Sequence, residues 1–196
     1  MHNIEIEIKL KLDQPEILLN WLKKNAEFVK SSDQIDYYFD PPHKSFIFED
    51  EEGYKDAAEW FRIRVSPKGN ELCYKFWHRD PQTNISLYAD EIETSIGDEK
   101  QVKEMLKRLG FKETSIIEKH RESYRYRDFQ FDCDEVKGMG FFVEIEFRGE
   151  LSDPALGKQK IYDLLNEIGI NNWKKTKRGY VWMQWNPGRE YFEEGF

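Results

Sequence analysis

The sequence predicts an α+β protein, in which an antiparallel sheet of about eight or more strands closes into a barrel with a charged interior, flanked by three main helices. Three observations lead there. Most of the chain alternates apolar and polar residues with period two, the mark of strands. Acids and bases are sorted onto different strands. Three further stretches place apolar residues at helical spacing, and those faces need the apolar side of the sheet as partner. The charged side of the strands then points away from the helices. A barrel closed in that sense encloses charge, the reverse of the usual small barrel.

Taken in order, strand 4–12 opens the chain. A helix over 14–27 follows, with Ile17, Leu18, Trp21 and Leu22 on one face, Asp13 as its cap and Pro15 in its first turn. Strands are expected over 34–39, 60–66, 72–78 and 88–95, separated by Pro41-Pro42, Pro67-Lys68-Gly69-Asn70 and Arg79-Asp80-Pro81. The acidic stretch Glu49-Asp50-Glu51-Glu52-Gly53 reads as a solvated loop. A second helix spans 98–109, with Val102, Met105, Leu106 and Leu109 at helical spacing and Gly110 just past its end. Strands 118–127, 129–134 and 141–148 come next. A third helix covers 155–168, and a last strand 179–185. No linker divides the chain, so one domain over 1–196 is expected.

Aromatics make up 15% of the residues, too many for a disordered chain. The net charge of −8 argues against a nucleic-acid binder, which needs a dominant basic face. No apolar run approaches the roughly 20 residues of a membrane span, and Met1-His2-Asn3-Ile4-Glu5 does not read as a signal peptide. Cys73 and Cys133 are too far apart for a metal motif, and read as reduced buried thiols of a cytoplasmic protein.

Side chains two apart on a strand face the same way. Glu5, Glu7, Lys9 and Lys11 therefore share one face of the first strand, and Ile4, Ile6, Ile8, Leu10 and Leu12 the other. Glu91 and Glu93 flank Ile92, Asp132 and Asp134 flank Cys133, and Glu144 and Glu146 flank Ile145. Arg62 and Arg64 alternate with Phe61, Ile63 and Val65, while Lys119, Arg121, Arg125 and Arg127 share a face. An ordinary wet sheet face mixes the two signs, because like charges side by side repel. Paired carboxylates call for cations between them, and paired basic residues for an anion. His2, His43, His78 and His120 lack ligand spacing, and Gly138-x-Gly140 reads as a turn.

These residues resemble the CYTH, or triphosphate tunnel metalloenzyme, family. Glu5-Ile6-Glu7-Ile8-Lys9 is similar to its opening Glu-x-Glu-x-Lys signature. Gln34-Ile35-Asp36-Tyr37-Tyr38, Phe61-Arg62-Ile63-Arg64, Tyr74-Lys75, Glu91-Ile92-Glu93 and Glu118-Lys119-His120-Arg121 resemble later blocks of the class IV adenylate cyclase-like branch. The run from Asp134 through Gly138-Met139-Gly140 to Glu144-Ile145-Glu146 is similar to its Asp-x-Val-x-Gly-Leu-Gly-x-Phe-Val-Glu-Ile-Glu. Phe61 replaces a usual leucine, and Trp77-His78 stands where smaller residues are more usual. A bulky Trp77 or the long connection from Pro41 to Trp60 would reshape the mouth where the non-phosphate part of a substrate sits.

The resemblance implies a triphosphate tunnel and a division of labour. Glu5, Glu7, Glu91, Glu93, Glu144 and Glu146, with Asp134 as ligand or supporting group, would hold Mg²⁺ or Mn²⁺, hard ions that take oxygen ligands. Lys9, Arg62, Arg64, Lys75, Lys119, Arg121 and Arg178 would bind the triphosphate, and Lys9, Glu5 and Glu7 would take the catalytic roles. Arg125 and Arg127 are expected at the rim. The implied function is a metal-dependent enzyme that turns ATP into cyclic AMP and pyrophosphate. A triphosphatase acting on tripolyphosphate, thiamine triphosphate or a nucleotide is the alternative, and a non-catalytic binding module the third reading. The chain is expected to be a monomer or homodimer, with a small-molecule triphosphate as its partner.

Overall fold

Strict alternation shapes the first strand, β1 (Ile6–Leu12), where Ile6, Ile8, Leu10 and Leu12 are buried and Glu7 is exposed. The computed structural model describes residues 6–79, 86–149, 154–170, 173–176, 178–189 and 192–194. After β1 come α1 (Pro15–Asn25), β2 (Glu27–Asp40), β3 (Ile47–Glu49), β4 (Lys55–Ala57), β5 (Glu59–Ser66), β6 (Gly69–Arg79) and β7 (Ser86–Ile96). Then follow α2 (Glu99–Arg108), β8 (Lys112–Tyr126), β9 (Phe129–Val136), β10 (Gly140–Phe147), α3 (Pro154–Ile168), β11 (Trp173–Thr176), α4 (Tyr180–Trp185) and β12 (Phe192–Glu194). The hydrogen-bonded order is β12-β11-β1-β10-β9-β8-β2-β5-β6-β7, with β3 and β4 as a separate pair.

The chain divides into two compact units. One comprises residues 1–32, 119–178 and 190–196, the other residues 33–118 and 179–189. The long strands β2 and β8 each contribute to both.

In the first unit, β1 pairs antiparallel with β10 and with β11, and β9 lies between β10 and β8. The apolar sides of β1, β9 and β10 meet Leu18 and Leu22 of α1 and Ile161, Leu164 and Leu165 of α3 in one core. Gly157 lets α3 approach β1, since a Cβ there would lie 2.7 Å from Ile6 Cγ2. Pro15 opens α1 as expected, but Gln14 occupies the cap position and no side chain caps the helix.

In the second unit, β5 pairs with β2 and β6, and β6 with β7. Phe39, Ile63 and Leu106 form the buried centre, with Phe61, Val102 and Phe111 packed against it. Asp98 caps α2 by accepting from the N–H groups of Lys100 and Gln101 at 2.9 and 3.2 Å. Gly110 follows the helix at φ 87°, a conformation that suits glycine. Asp98→Ala is expected to lower the melting temperature by about 2–4 °C, with Asp98→Ser close to wild type; an unchanged Tm in the alanine variant would remove the cap from the account. The acidic stretch forms the exposed turn of the β3–β4 pair.

Several expectations are corrected. The last expected strand is a short helix, α4, because Tyr180, Val181 and Trp182 are all buried in succession rather than alternately. A short apolar run cannot be told from a helix by periodicity alone. Only Leu106 of the α2 stripe is buried, and Met105 and Leu109 are 58% and 66% exposed. Strand β2 starts at Glu27, where the first helix was expected to end, and β8 starts at Lys112. The short strands β3, β4, β11 and β12 carry too little alternation to be seen in the sequence. Both cysteines are buried free thiols, and no helix among the described residues is long and apolar enough to cross a membrane.

Candidate functional site

The charged side of the first unit is built from four strands. Register sets Lys9 opposite Glu144, Glu7 opposite Glu146, Glu144 opposite Asp132, and Asp134 opposite Arg121. Lys9 Nζ lies 2.8 Å from Glu144 Oε1. Arg121 donates to three carboxylates: Nε and Nη2 to Asp134 at 2.5 and 2.6 Å, Nη1 to Asp132 at 2.9 Å, and Nη2 to Glu144 at 2.7 Å. Lys119 Nζ donates to Asp134 Oδ2 at 2.9 Å. Asp134 is fully buried, and the Lys119 side chain is 3% exposed. The Ser123 hydroxyl donates to Asp132 Oδ1.

These contacts fix the charge states. Burial would raise the Glu144 carboxyl, but Lys9, Arg121 and Lys119 hold it well below the usual carboxylate range. Asp134 is held low in the same way, against its burial, by Lys119 and Arg121. Burial would lower Lys9, and Glu144 outweighs that to keep it above its ordinary value. The two cation heads Lys9 and Arg121 thus share one carboxylate, Glu144, from opposite sides. Glu7 and Glu146 stand directly across an antiparallel pair, where like charges repel. That opposed pair suits a hard divalent cation held by carboxylate oxygens.

In the second unit, the charged side runs in layers set by register: Asp36, Arg64 and Glu71; then Tyr38, Arg62, Cys73 and Glu93; then Trp60, Lys75 and Glu91. Arg64 makes a bidentate pair with buried Asp36 at 2.7 and 2.8 Å. Lys75 Nζ lies 3.0 Å from Glu91 Oε2. Arg62 stands 3.6 Å from both Glu71 and Glu93, and its Nε is buried with no acceptor among the described residues. A buried donor without a partner costs about 1–3 kcal/mol, and an anion oxygen would satisfy it. Cys73 Sγ donates to Glu91 Oε1 at 3.3 Å, and burial pushes its thiol up to about 12. Burial would raise Glu91 as well, yet Lys75 holds it below its ordinary value. Glu93 is raised by burial and by the neighbouring charges of Glu71 and Glu91. Among the described residues, Cys73, Glu91 and Glu93 bring three ligand atoms within 4.8 Å of one another.

The first unit therefore assembles Glu7, Lys9, Lys119, Arg121, Asp134, Glu144 and Glu146, and the second Arg62, Arg64, Lys75, Glu91 and Glu93. Glu5 lies outside the described residues. Arg178 follows β11, where its backbone N–H and carbonyl bracket the Thr176 hydroxyl. Arg125 is exposed, and Arg127 sits in the turn after β8 at φ 51°, off the strand face it was expected to share. The sequence reading assigned no role to Asp36, Glu71, Cys73 or Ser123. Period two placed Cys73 with Lys75 and Asp36 with Tyr38, but their partners lie on other strands.

Comparison with known proteins accords with this architecture. The CYTH domain profile matches residues 3–180. The "Putative adenylate cyclase MJ0240" of Methanocaldococcus jannaschii is 29% identical over 180 residues, covering 91% of this chain and 97% of that protein. The solved structure of the PH1819 protein from Pyrococcus horikoshii OT3 is similar with a TM-score of 0.68 at 28% identity, covering 92% of this chain and 97% of that one. That of HpAC1 from Hippeastrum, described as a "putative adenylyl cyclase" that "reveals a dominant" triphosphatase activity, has a TM-score of 0.62 at 20% identity, covering 91% and 94%. With nine-tenths of its residues matched in order, the chain belongs to the CYTH domain family.

Proposed function

We propose that the chain is a divalent-metal-dependent enzyme acting on a triphosphate, as CYTH proteins do, with ATP conversion to cyclic AMP and pyrophosphate as its reaction. The observation that carries the reading is Arg62, whose buried Nε has no acceptor among the described residues, with Arg64 two residues on in β5 and Lys75 on the neighbouring β6. The kinship to a protein named an adenylate cyclase supports the cyclase reading. The Hippeastrum protein's triphosphatase activity favours hydrolysis as the second reading. The closed barrel remains part of the proposal, on the sequence and the family resemblance, as does a cytoplasmic setting.

Arg62, Arg64 and Lys75, and likewise Lys9, Lys119 and Arg121, would take phosphate oxygens, the arginines as planar forks and the lysines as point charges. Asp36 and Asp134 orient the arginines from behind. Glu7, Glu144 and Glu146, with Glu5, and Glu91 with Glu93 would hold Mg²⁺ or Mn²⁺. The ion would neutralise phosphate charge and make the attacking oxygen more acidic.

The test is product analysis with Mg²⁺ or Mn²⁺ and ATP, thiamine triphosphate and tripolyphosphate offered in parallel. Cyclic AMP with pyrophosphate is the expected result. Phosphate release would replace it with the triphosphatase reading. Binding without any product would leave a recognition module, and no binding would sink the proposal.

A further inference from the structure

An indole follows Lys75 along one side of β6. Glu71, Cys73, Lys75 and Trp77 share one side of this strand by alternation, and register sets Arg62 beside Cys73 and Trp60 beside Lys75. Trp77 comes next after Lys75 on that side. It is half-buried. On one flank its backbone N–H donates to Ala58 O at 3.0 Å, and on the other it pairs with Ala89.

Trp182 is buried, and Trp60 and Trp185 stack on each other at 5.6 Å. Trp185 also donates its indole N–H to Ser115. Among the described residues, the Trp77 ring has neither an aromatic neighbour nor a hydrogen bond. The ammonium of Lys75 lies 4.7 Å from the ring centroid. The same ammonium is 3.0 Å from Glu91. Lys75 is thus held by two weak claims, the quadrupole of a partly exposed ring and a half-exposed carboxylate. A phosphate oxygen competes with both. When Lys75 turns to a phosphate, one face of the indole is left open beside the phosphate row.

From the level of Arg62 to that of Trp77 is four residues, about 13 Å along the strand. That length exceeds three linked phosphates and leaves room for the group they are attached to. We infer that Trp77 is a specificity-determining residue, whose ring stacks on a planar aromatic group of an organic triphosphate whose phosphates engage Lys75 and Arg62. The chain thereby prefers nucleotide-like triphosphates over inorganic tripolyphosphate. This inference rests on the triphosphate reading above and adds a substrate class to it.

The experiment is calorimetric titration, in Mg²⁺, of wild type, Trp77→Ala and Trp77→Phe with β,γ-methylene-ATP and with tripolyphosphate. In Trp77→Ala the nucleotide analogue is expected to bind about tenfold more weakly, the scale of one lost stacking contact, while tripolyphosphate changes less than twofold. Trp77→Phe should recover most of the nucleotide affinity and guards against a misfolded alanine variant. Equal losses for both ligands, or no loss for the analogue, overturn the role of Trp77 while the triphosphate reading stands. A wild type that binds neither ligand overturns both.

Discussion

Asp134→Ala is expected to destabilise the protein by about 3–5 kcal/mol, the scale of breaking a buried ion pair from one side. Asp134 is fully buried and receives one lysine and two arginine nitrogens. Its loss takes away the carboxylate that lies 2.9 Å from the Lys119 ammonium, itself only 3% exposed. Arg121 retains Asp132 and Glu144, so the damage centres on Lys119. A double variant, Lys119→Met with Asp134→Leu, should recover much of the loss, because apolar replacement of both ends of a buried pair is often close to neutral. Urea denaturation of the set checks this. A single-variant loss below about 1 kcal/mol would mean that water reaches Lys119 easily and that the pair is not a structural anchor.

The second large effect is expected at Glu144, on activity. Glu144→Gln should fold and lose turnover by about ten- to a hundredfold, the scale seen when the groups supporting a metal site's ligands are removed. The carboxylate holds Lys9 on one oxygen and Arg121 on the other, and the neutral amide cannot accept both as a charge. Steady-state rates with the circular dichroism spectrum of the variant decide it; near-wild-type turnover in a folded variant would remove Glu144 from the chemistry.

The pH dependence follows with a definite sign. Glu144 and Asp134 both have folded pKa values below their unfolded ones. Their stabilisation is therefore fully present above the unfolded values of about 4 and is lost as pH falls from there through the lower folded values. Denaturation in chelator should show no loss from these groups between pH 7 and pH 5, and a steep loss below about pH 4. Lys9→Met should flatten that acid limb, since it removes one of the charges that depress Glu144. An unchanged limb would assign the acid sensitivity elsewhere.

How much of this was legible in the chain depends on the range of the interaction. Alternation in Ile6–Leu12 and in Gly140–Phe147 fixes which side chains are apolar and which are charged, because period two is a local property. The cap at Asp98 and the glycine after α2 are equally local. The candidate residues Lys9, Arg62, Arg64, Lys75, Lys119, Arg121, Asp134, Glu91, Glu93, Glu144 and Glu146 could be named from their alternation and from blocks that resemble a family. The short helix Tyr180–Trp185 was beyond that reach, since six residues with three buried in succession fit strand or helix locally, and packing chooses.

The sequence by itself determined the strand faces, the sorting of charge and the family. Tertiary structure alone decided which opposite charges meet: Arg121 with three carboxylates from β9 and β10, Arg64 with Asp36 across β2 and β5, and Cys73 with Glu91 across β6 and β7. It also decided that Asp134 is sealed from water while Glu7 is not. The reason is physical. A strand's own pattern says which way a side chain points, but its partner is set by register between strands far apart in sequence, and the pairing that buries the apolar face carries the charged face into register with it.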